Sequence, residues 1–184
     1  MEGREKKNIV ELTRVSCADY RRLPKLPLVL VADNVRSLHN VGSFFRTADA
    51  FLLEEIVLCG ISGTPPHPEL EKTALGADRS VAWRHEEDVV AAVGDLRARG
   101  YNICVLEQTH GSVFLPLFRP ERGVRYALVC GNEVEGVSQR VVDMADTVLE
   151  IPQCGTKHSL NVAVSTGIAL WHFFSHLSEA CSPR

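Results

Sequence analysis

Several absences narrow what this chain can be. No stretch approaches the roughly 18 uninterrupted apolar residues that a membrane-spanning helix requires. The charged start, MEGREKKNIV, is not followed by the apolar core of a secretory signal. The expectation is a cytoplasmic protein with no membrane partner. The six cysteines, Cys17, Cys59, Cys104, Cys130, Cys154 and Cys181, form no CxxC pair and no His–Cys group at zinc spacing. No metal is expected, and cysteines lying in apolar runs such as IVLCG, YNICVL and YALVCG read as buried, reduced thiols. The net charge is −3, so the basic excess of a protein that coats nucleic acid is missing, although a local basic patch is compatible with it. No GxGxxG follows a strand, and GxxxxGK[ST], HExxH and GxSxG do not occur. The GTKHS piece at Gly155 resembles a phosphate-loop tail but lacks the first glycine and the Lys-Ser/Thr pair. Neither an internal repeat nor a low-complexity segment stands out.

What is present is a chain of 184 residues, 45% apolar and 23% charged, which fits a single domain with a real core and excludes intrinsic disorder. Residues 1–25 carry seven basic and four acidic side chains, a local charge of +3 against −6 for the remainder. They read as a basic, partly helical arm that could touch phosphate or pack on a partner subunit, ahead of one domain over 26–184. From Pro27 short continuous apolar runs recur: PLVLVAD, EIVLCG from Glu55, YNICVLEQ from Tyr101, YALVCGNE from Tyr126 and TVLEIPQ from Thr147, each the signature of a buried strand. Between them the spacing predicts helices over Asn40–Phe51, over Glu86–Arg99 with Gly100 as a terminator, from Ser138, and over Ser159–Leu177. GTPPHPE, from Gly63, reads as a loop entering a further helix. Strands alternating with helices imply an α/β fold, a mostly parallel sheet flanked by helices.

Three constellations carry chemical information. DNVRSLHNVGSFFRTADAF, from Asp33, follows the first strand, so it lies at the carboxyl end of the sheet, where open α/β sheets bind ligands. Asn40 would cap the helix it opens, Gly42 would admit another backbone, and Arg46 lies one turn further on. A plain ion pair of Arg46 with Asp49 would be worth only a few tenths of a kcal/mol. LVCGNEVEGVS, from Leu128, places Gly131, Asn132, Glu133 and Gly136 between a buried strand and a helix start. LEIPQCGTKHSLNVAVSTGIALW, from Leu149, ends a strand at Ile151-Pro152, passes through a glycine loop and opens the last helix with Ser159 as its cap. Asn161, in the first turn of that apolar segment, needs a hydrogen-bonding partner. His39 and His158 stand beside these segments and read as loop histidines.

In this order and at these positions the three resemble the SpoU (TrmH) family of RNA ribose methyltransferases, of the SPOUT superfamily. The residues that carry the resemblance are Asn40-x-Gly42-x-x-x-Arg46-Thr47-Ala48, then Gly131-Asn132-Glu133-x-x-Gly136, then Ile151-Pro152 and Ser159-Leu160-Asn161-Val162. His67-Pro68 and Lys72–Ala77 look like the family's connecting loop and helix. The resemblance runs from about Pro27 to Trp171. It departs at Gln153, where the family usually has methionine, and in the lack of the long extensions that many members carry.

The resemblance implies a C-terminal trefoil knot, an exception to ordinary chain topology. It also implies S-adenosylmethionine as cofactor, a tRNA or rRNA partner, methylation of a ribose 2′-hydroxyl, and a homodimer whose site uses residues at or across the subunit interface. By resemblance Gly131, Ile151, Leu160 and Asn161 line the donor pocket, bordered by Leu106-Glu107-Gln108. Arg46 takes the place of the catalytic arginine, with Asn40, Glu133, Ser159 and Asn161 orienting it, the ribose or the donor. Glu133 reads equally well as a structural partner for a helix start. Two other function classes compete: a non-catalytic RNA-binding or assembly protein on the same fold, and a small-molecule hydrolase using Ser159 or a cysteine.

Overall fold

A strand that is apolar at every position is stable only with both faces covered, and this governs the architecture. The structure is a computed structural model describing Lys6, Asn8 and residues 15–179. In chain order its main elements are α1 (Cys17–Arg22), β1 (Leu26–Asp33), α2 (Leu38–Ala50), β2 (Leu53–Cys59), α3 (Pro68–Ala74), β3 (Trp83–Glu86), α4 (Val89–Ala98), β4 (Tyr101–Leu106), β5 (Val113–Phe114), β6 (Arg125–Cys130), α5 (Gln139–Val142), β7 (Thr147–Glu150) and α6 (Val162–Leu177). The seven strands form one sheet in the order β3-β2-β1-β6-β4-β7-β5, and every pair in it is parallel. Alternate residues of β1 divide between two cores. Leu28, Leu30 and Ala32 pack with α2, α3 and α6 on one face, and Val29 and Val31 pack with α4 and α5 on the other. The expected parallel α/β sheet with helices on both faces is therefore what the chain forms.

Two edge strands escape a sequence reading, β3 because it is largely polar and β5 because it is only two residues long. In β3, Trp83-Arg84-His85-Glu86, no residue is fully buried, because the strand lies at the sheet edge against β2. The two residues of β5 are both exposed at the opposite edge. Since Glu86 belongs to β3, the helix expected from there starts at Val89, where Asp88 accepts from Val90 N at 3.0 Å as the cap. The helix expected at Asn40 starts at Leu38, and Ser37 Oγ accepts from Asn40 N at 3.3 Å. The last helix is capped by Asn161 rather than Ser159, so it starts at Val162. Ser138 precedes α5 as expected, but its side chain makes no capping bond.

Gly42 does admit another backbone, and the backbone is that of α3. A Cβ there would stand 2.5 Å from Leu70 O and 2.9 Å from Thr73 Cβ, so the glycine allows α2 and α3 to touch. The described part of the N-terminal arm is also committed to the fold. Tyr20 Oη donates to Ala48 O at 3.3 Å, Arg21 Nη2 to Arg79 O at 2.7 Å, and Lys25 Nζ to Tyr20 O at 2.6 Å while lying over the Tyr20 ring. The expected arm otherwise falls mostly on residues outside the described ones. Among the described residues no helix is long and apolar enough to cross a membrane.

Candidate functional site

In the sheet β6 lies between β1 and β4, and β7 lies on the far side of β4. The chain segments that follow β4, β6 and β7 wall a cleft of about 700 Å³. The first supplies Leu106, Glu107 and Gln108; the second, residues 131–137; the third, Ile151, Gln153 and residues 158–161. Leu106, Leu149, Ile151 and Leu160 give it apolar walls, and Gln108, Ser159, Asn161 and main-chain groups give it polar edges. Apolar surface with a few placed polar groups is how proteins hold a flat, polar-edged ring system.

The 131–137 loop is tightly folded. Asn132 Oδ1 accepts from Val134 N at 2.9 Å and Glu135 N at 2.8 Å, and the main chains of Asn132 and Gly136 exchange two hydrogen bonds at 3.2 and 3.1 Å. The glycine at 131 answers to this folding. A Cβ there would lie 2.0 Å from the carbonyl carbon of Gly136, so the loop's own backbone packs against this position. Gly136, at φ 69°, occupies the left-handed region.

Side chains from all three constellations meet in one hydrogen-bonded line. Asn40 Nδ2 donates to Glu133 Oε1 at 2.5 Å. Asn161 Nδ2 donates to Asn40 Oδ1 at 3.3 Å, and Asn161 Oδ1 accepts from Ala163 N at 2.9 Å and Val164 N at 3.3 Å. The partner that Asn161 required is thus double: Asn40, and the first turn of α6. Glu133, 93 residues from Asn40, is joined to α2 and through it to α6.

Arg46 stands apart from this line. It is exposed, does not line the cleft, and makes no ion pair or hydrogen bond with any described residue. The pair with Asp49 is not made, and Asp49 accepts from Ser80 Oγ instead. Six helical positions place Arg46 about 9 Å along α2 from Asn40. Arg36, before the helix, is likewise exposed and unpaired among the described residues. Ser159 lines the cleft without a hydrogen bond to a described residue. His39 turns to α3, with Nδ1 3.1 Å from Thr73 Oγ1, whereas His158 lines the cleft.

Two carboxylates brace the site: Asp33, which the sequence reading did not single out, and Glu107, which it placed at the border of the cleft. Asp33, 1% exposed at the end of β1, accepts from Ser138 N at 3.0 Å and Asn34 Nδ2 at 2.8 Å. Glu107 accepts from Val137 N at 3.0 Å and Gln108 N at 2.8 Å. A signal for Asp33 existed, since an acidic residue ending an otherwise apolar buried run demands a partner. The cysteine hydrolase reading loses ground here. Burial pushes the Cys130 thiol at the cleft, and likewise Cys59 and Cys104, up to about 12, so all three stay protonated and poorly nucleophilic. Among the described residues no group of three or more His, Cys, Asp or Glu could hold a metal ion.

The model of the SpoU rRNA Methylase family matches residues 27–171. The 23S rRNA (guanosine-2'-O-)-methyltransferase RlmB of Salmonella typhi is 30% identical over 153 residues, which is 83% of this chain and 62% of that protein. Among solved structures, the AdoMet-bound rRNA methyltransferase from Sinorhizobium meliloti superposes with a TM-score of 0.77 at 27% identity, covering 86% of this chain and 60% of that one. The TrmH/SpoU tRNA modifying enzyme of A. aeolicus gives 0.76 at 27% identity, covering 87% and 81%. The chain spans about three fifths of the length of the curated relatives it matches.

Proposed function

The chain belongs to the SpoU rRNA Methylase family, and from that premise we propose that it methylates a ribose 2′-hydroxyl in tRNA or rRNA with S-adenosylmethionine as donor. The observation that carries the reading is the line Glu133–Asn40–Asn161, which gathers three separate motifs at the rim of a cleft of about 700 Å³. The cleft suits the donor: Leu106, Ile151 and Leu160 offer apolar surface to an adenine, and Asn161 and the main chain around Gly131 offer polar contacts. When bound, the donor supplies a methyl group on a sulfonium, which needs an aligned nucleophile carrying partial negative charge.

Supplying that nucleophile falls to the chain's own groups. A guanidinium keeps its proton under ordinary conditions, so Arg46 serves as a fixed cation that holds an RNA phosphate and stabilises the developing alkoxide. Its freedom from any ion pair with the described residues leaves that charge available. Asn40, Glu133 and Asn161 keep α2, the 131–137 loop and α6 in fixed relation, and Ser159, unpaired at the cleft, is free to contact donor or ribose. A C-terminal trefoil knot, a single domain over 26–184 behind a basic arm, and work in the cytoplasm belong to the same reading.

So does a homodimer. Val164, Ile168 and Trp171, at 52%, 41% and 53% exposure, form an apolar stripe along α6. Trp171 continues it onto Phe51 and Phe174, with ring centroids 5.8 Å away in each case. A second copy covering this stripe would also complete the surface near Arg46. Because the chain has a net charge of −3 and only local basic groups to meet phosphate, its RNA affinity should be modest and salt-sensitive. Incubating the protein with labelled S-adenosylmethionine and total tRNA and rRNA, followed by nucleoside analysis, tests the reading. A 2′-O-methylated nucleoside is expected; donor binding without transfer to any RNA would favour the non-catalytic alternative.

A further inference from the structure

The two loops that wall the cleft are anchored by neighbouring residues of one strand end. Glu107 Oε2, just past β4, accepts from Val137 N at 3.0 Å and so holds the far end of the 131–137 loop. Gln108 Nε2 donates to His158 O at 3.1 Å and so holds the loop that follows β7. Glu107 Oε1 accepts from Gln108 N at 2.8 Å, which engages both carboxylate oxygens and stops the group from turning. Contact with the first loop is as close as glycine permits, for a Cβ on Gly136 would lie 2.1 Å from Glu107 Oε2. The next amide, Ser138 N, is held at 3.0 Å by buried Asp33 from β1. Strands β1 and β4, the two neighbours of β6, therefore each send a carboxylate to one of two consecutive amides. Nothing in helix or sheet pairing fixes either loop at these points.

We propose that Glu107 and Gln108 are a positioning pair that sets the separation of the two cleft walls, and with it the affinity for the donor. The proposal rests on the donor reading of the cleft given above. Neither residue takes part in the chemistry. Glu107 acts through the 131–137 loop, and Gln108 acts through the main chain at His158. Without the Glu107 anchor the loop keeps its internal turn at Asn132 and its tie to Asn40, so the fold persists while the cleft loses its defined width.

Titration calorimetry of the full chain with S-adenosylmethionine, together with initial rates on total tRNA and rRNA, tests this. Glu107→Ala should weaken donor binding about tenfold or more, the effect of losing a charge-assisted hydrogen bond of roughly 1.4 kcal/mol. Glu107→Gln, which keeps one acceptor oxygen, should fall between it and the wild type. Gln108→Ala should weaken binding about threefold, a smaller loss for a neutral bond. In all three the KM for the donor should rise while the rate at saturating donor stays within about twofold, and the melting temperature should not track the loss. If Glu107→Ala does not fold, Glu107→Gln and Gln108→Ala carry the test. Wild-type donor affinity in the folded variants overturns the proposal, as does a collapse of the saturated rate at unchanged affinity. A wild-type chain that binds no S-adenosylmethionine overturns the donor reading and this proposal with it; a wild-type chain that binds it while the variants bind it equally well overturns the proposal alone.

Discussion

The 131–137 loop and α2 are joined through Glu133 and Asn40, yet the loop and the outer face of the helix are built by opposite rules. The loop is held at nearly every turn: Asn132 folds it, Glu133 is tied to Asn40, Gly131 and Gly136 are pressed against backbone and carboxylate, and Val137 and Ser138 are held by Glu107 and Asp33. Arg46, on the helix that bears Asn40, touches no hydrogen-bonding or charged partner among the described residues. The difference separates what a single chain preorganises from what it leaves for something else to complete. A small ligand of fixed shape rewards a pocket formed in advance, because ordering the walls on binding would cost affinity. In the proposed role of Arg46, a charge that meets a phosphate and an alkoxide must stay uncompensated until they arrive.

This contrast can be broken at either end. The largest expected effect is on rate: Arg46→Ala should lower methyl transfer by about 10²–10³ or more and leave donor binding nearly intact. A parallel loss of donor affinity, read by calorimetry, would remove Arg46 from the acceptor side. Next comes the preorganised loop. Gly131→Ala drives a Cβ into the Gly136 backbone, and Gly136→Ala combines a clash on Glu107 with an unfavourable positive φ. Each should weaken donor binding by about 100-fold, since relieving such overlaps costs several kcal/mol.

Ile168→Glu and Trp171→Glu should convert a dimer into monomers in sedimentation. They should leave the cleft's donor affinity within about twofold, because neither residue borders the cleft. An unchanged sedimentation coefficient would show that the stripe on α6 is not the subunit contact. Asn161→Ala removes the cap of α6 and should cost about 1 kcal/mol, a fall of roughly 2–4 °C in Tm. The smallest effect is a labelling contrast. Cys17 and Cys154 are exposed and should alkylate in the native protein, whereas Cys59, Cys104 and Cys130, buried and pushed up to about 12, should not.

Much of this was legible before any coordinates. Leu28 to Ala32, Ile103 to Val105 and Ala127 to Val129 are apolar at successive positions, which only a strand covered on both faces explains, and they are the centre of the sheet. The edge strands were not legible, because β3 buries no residue fully and β5, at two residues, is too short to show a period. Helix starts shifted where two residues compete for one cap. Ser37 displaced Asn40, and Asn161 displaced Ser159, and in each case the winner is the side chain whose oxygen reaches the first-turn amides. Asn40 and Asn161, both motif residues, had the right importance but exchanged their expected local roles.

What the chain's own order of residues determined is the alternation of buried strands and amphipathic helices, and the three motif segments at strand ends. Those follow from solvation and local geometry, which act over a few neighbouring positions. What only the tertiary structure decided is which polar groups meet. Asn40 bonds to Glu133 across 93 residues and Asn161 to Asn40 across 121, and the amide of Ser138 finds Asp33 across 105. Side-chain hydrogen bonds reach about 3 Å, so such partners become neighbours only after the parallel sheet has brought β1, β6, β4 and β7 side by side with their carboxyl ends together.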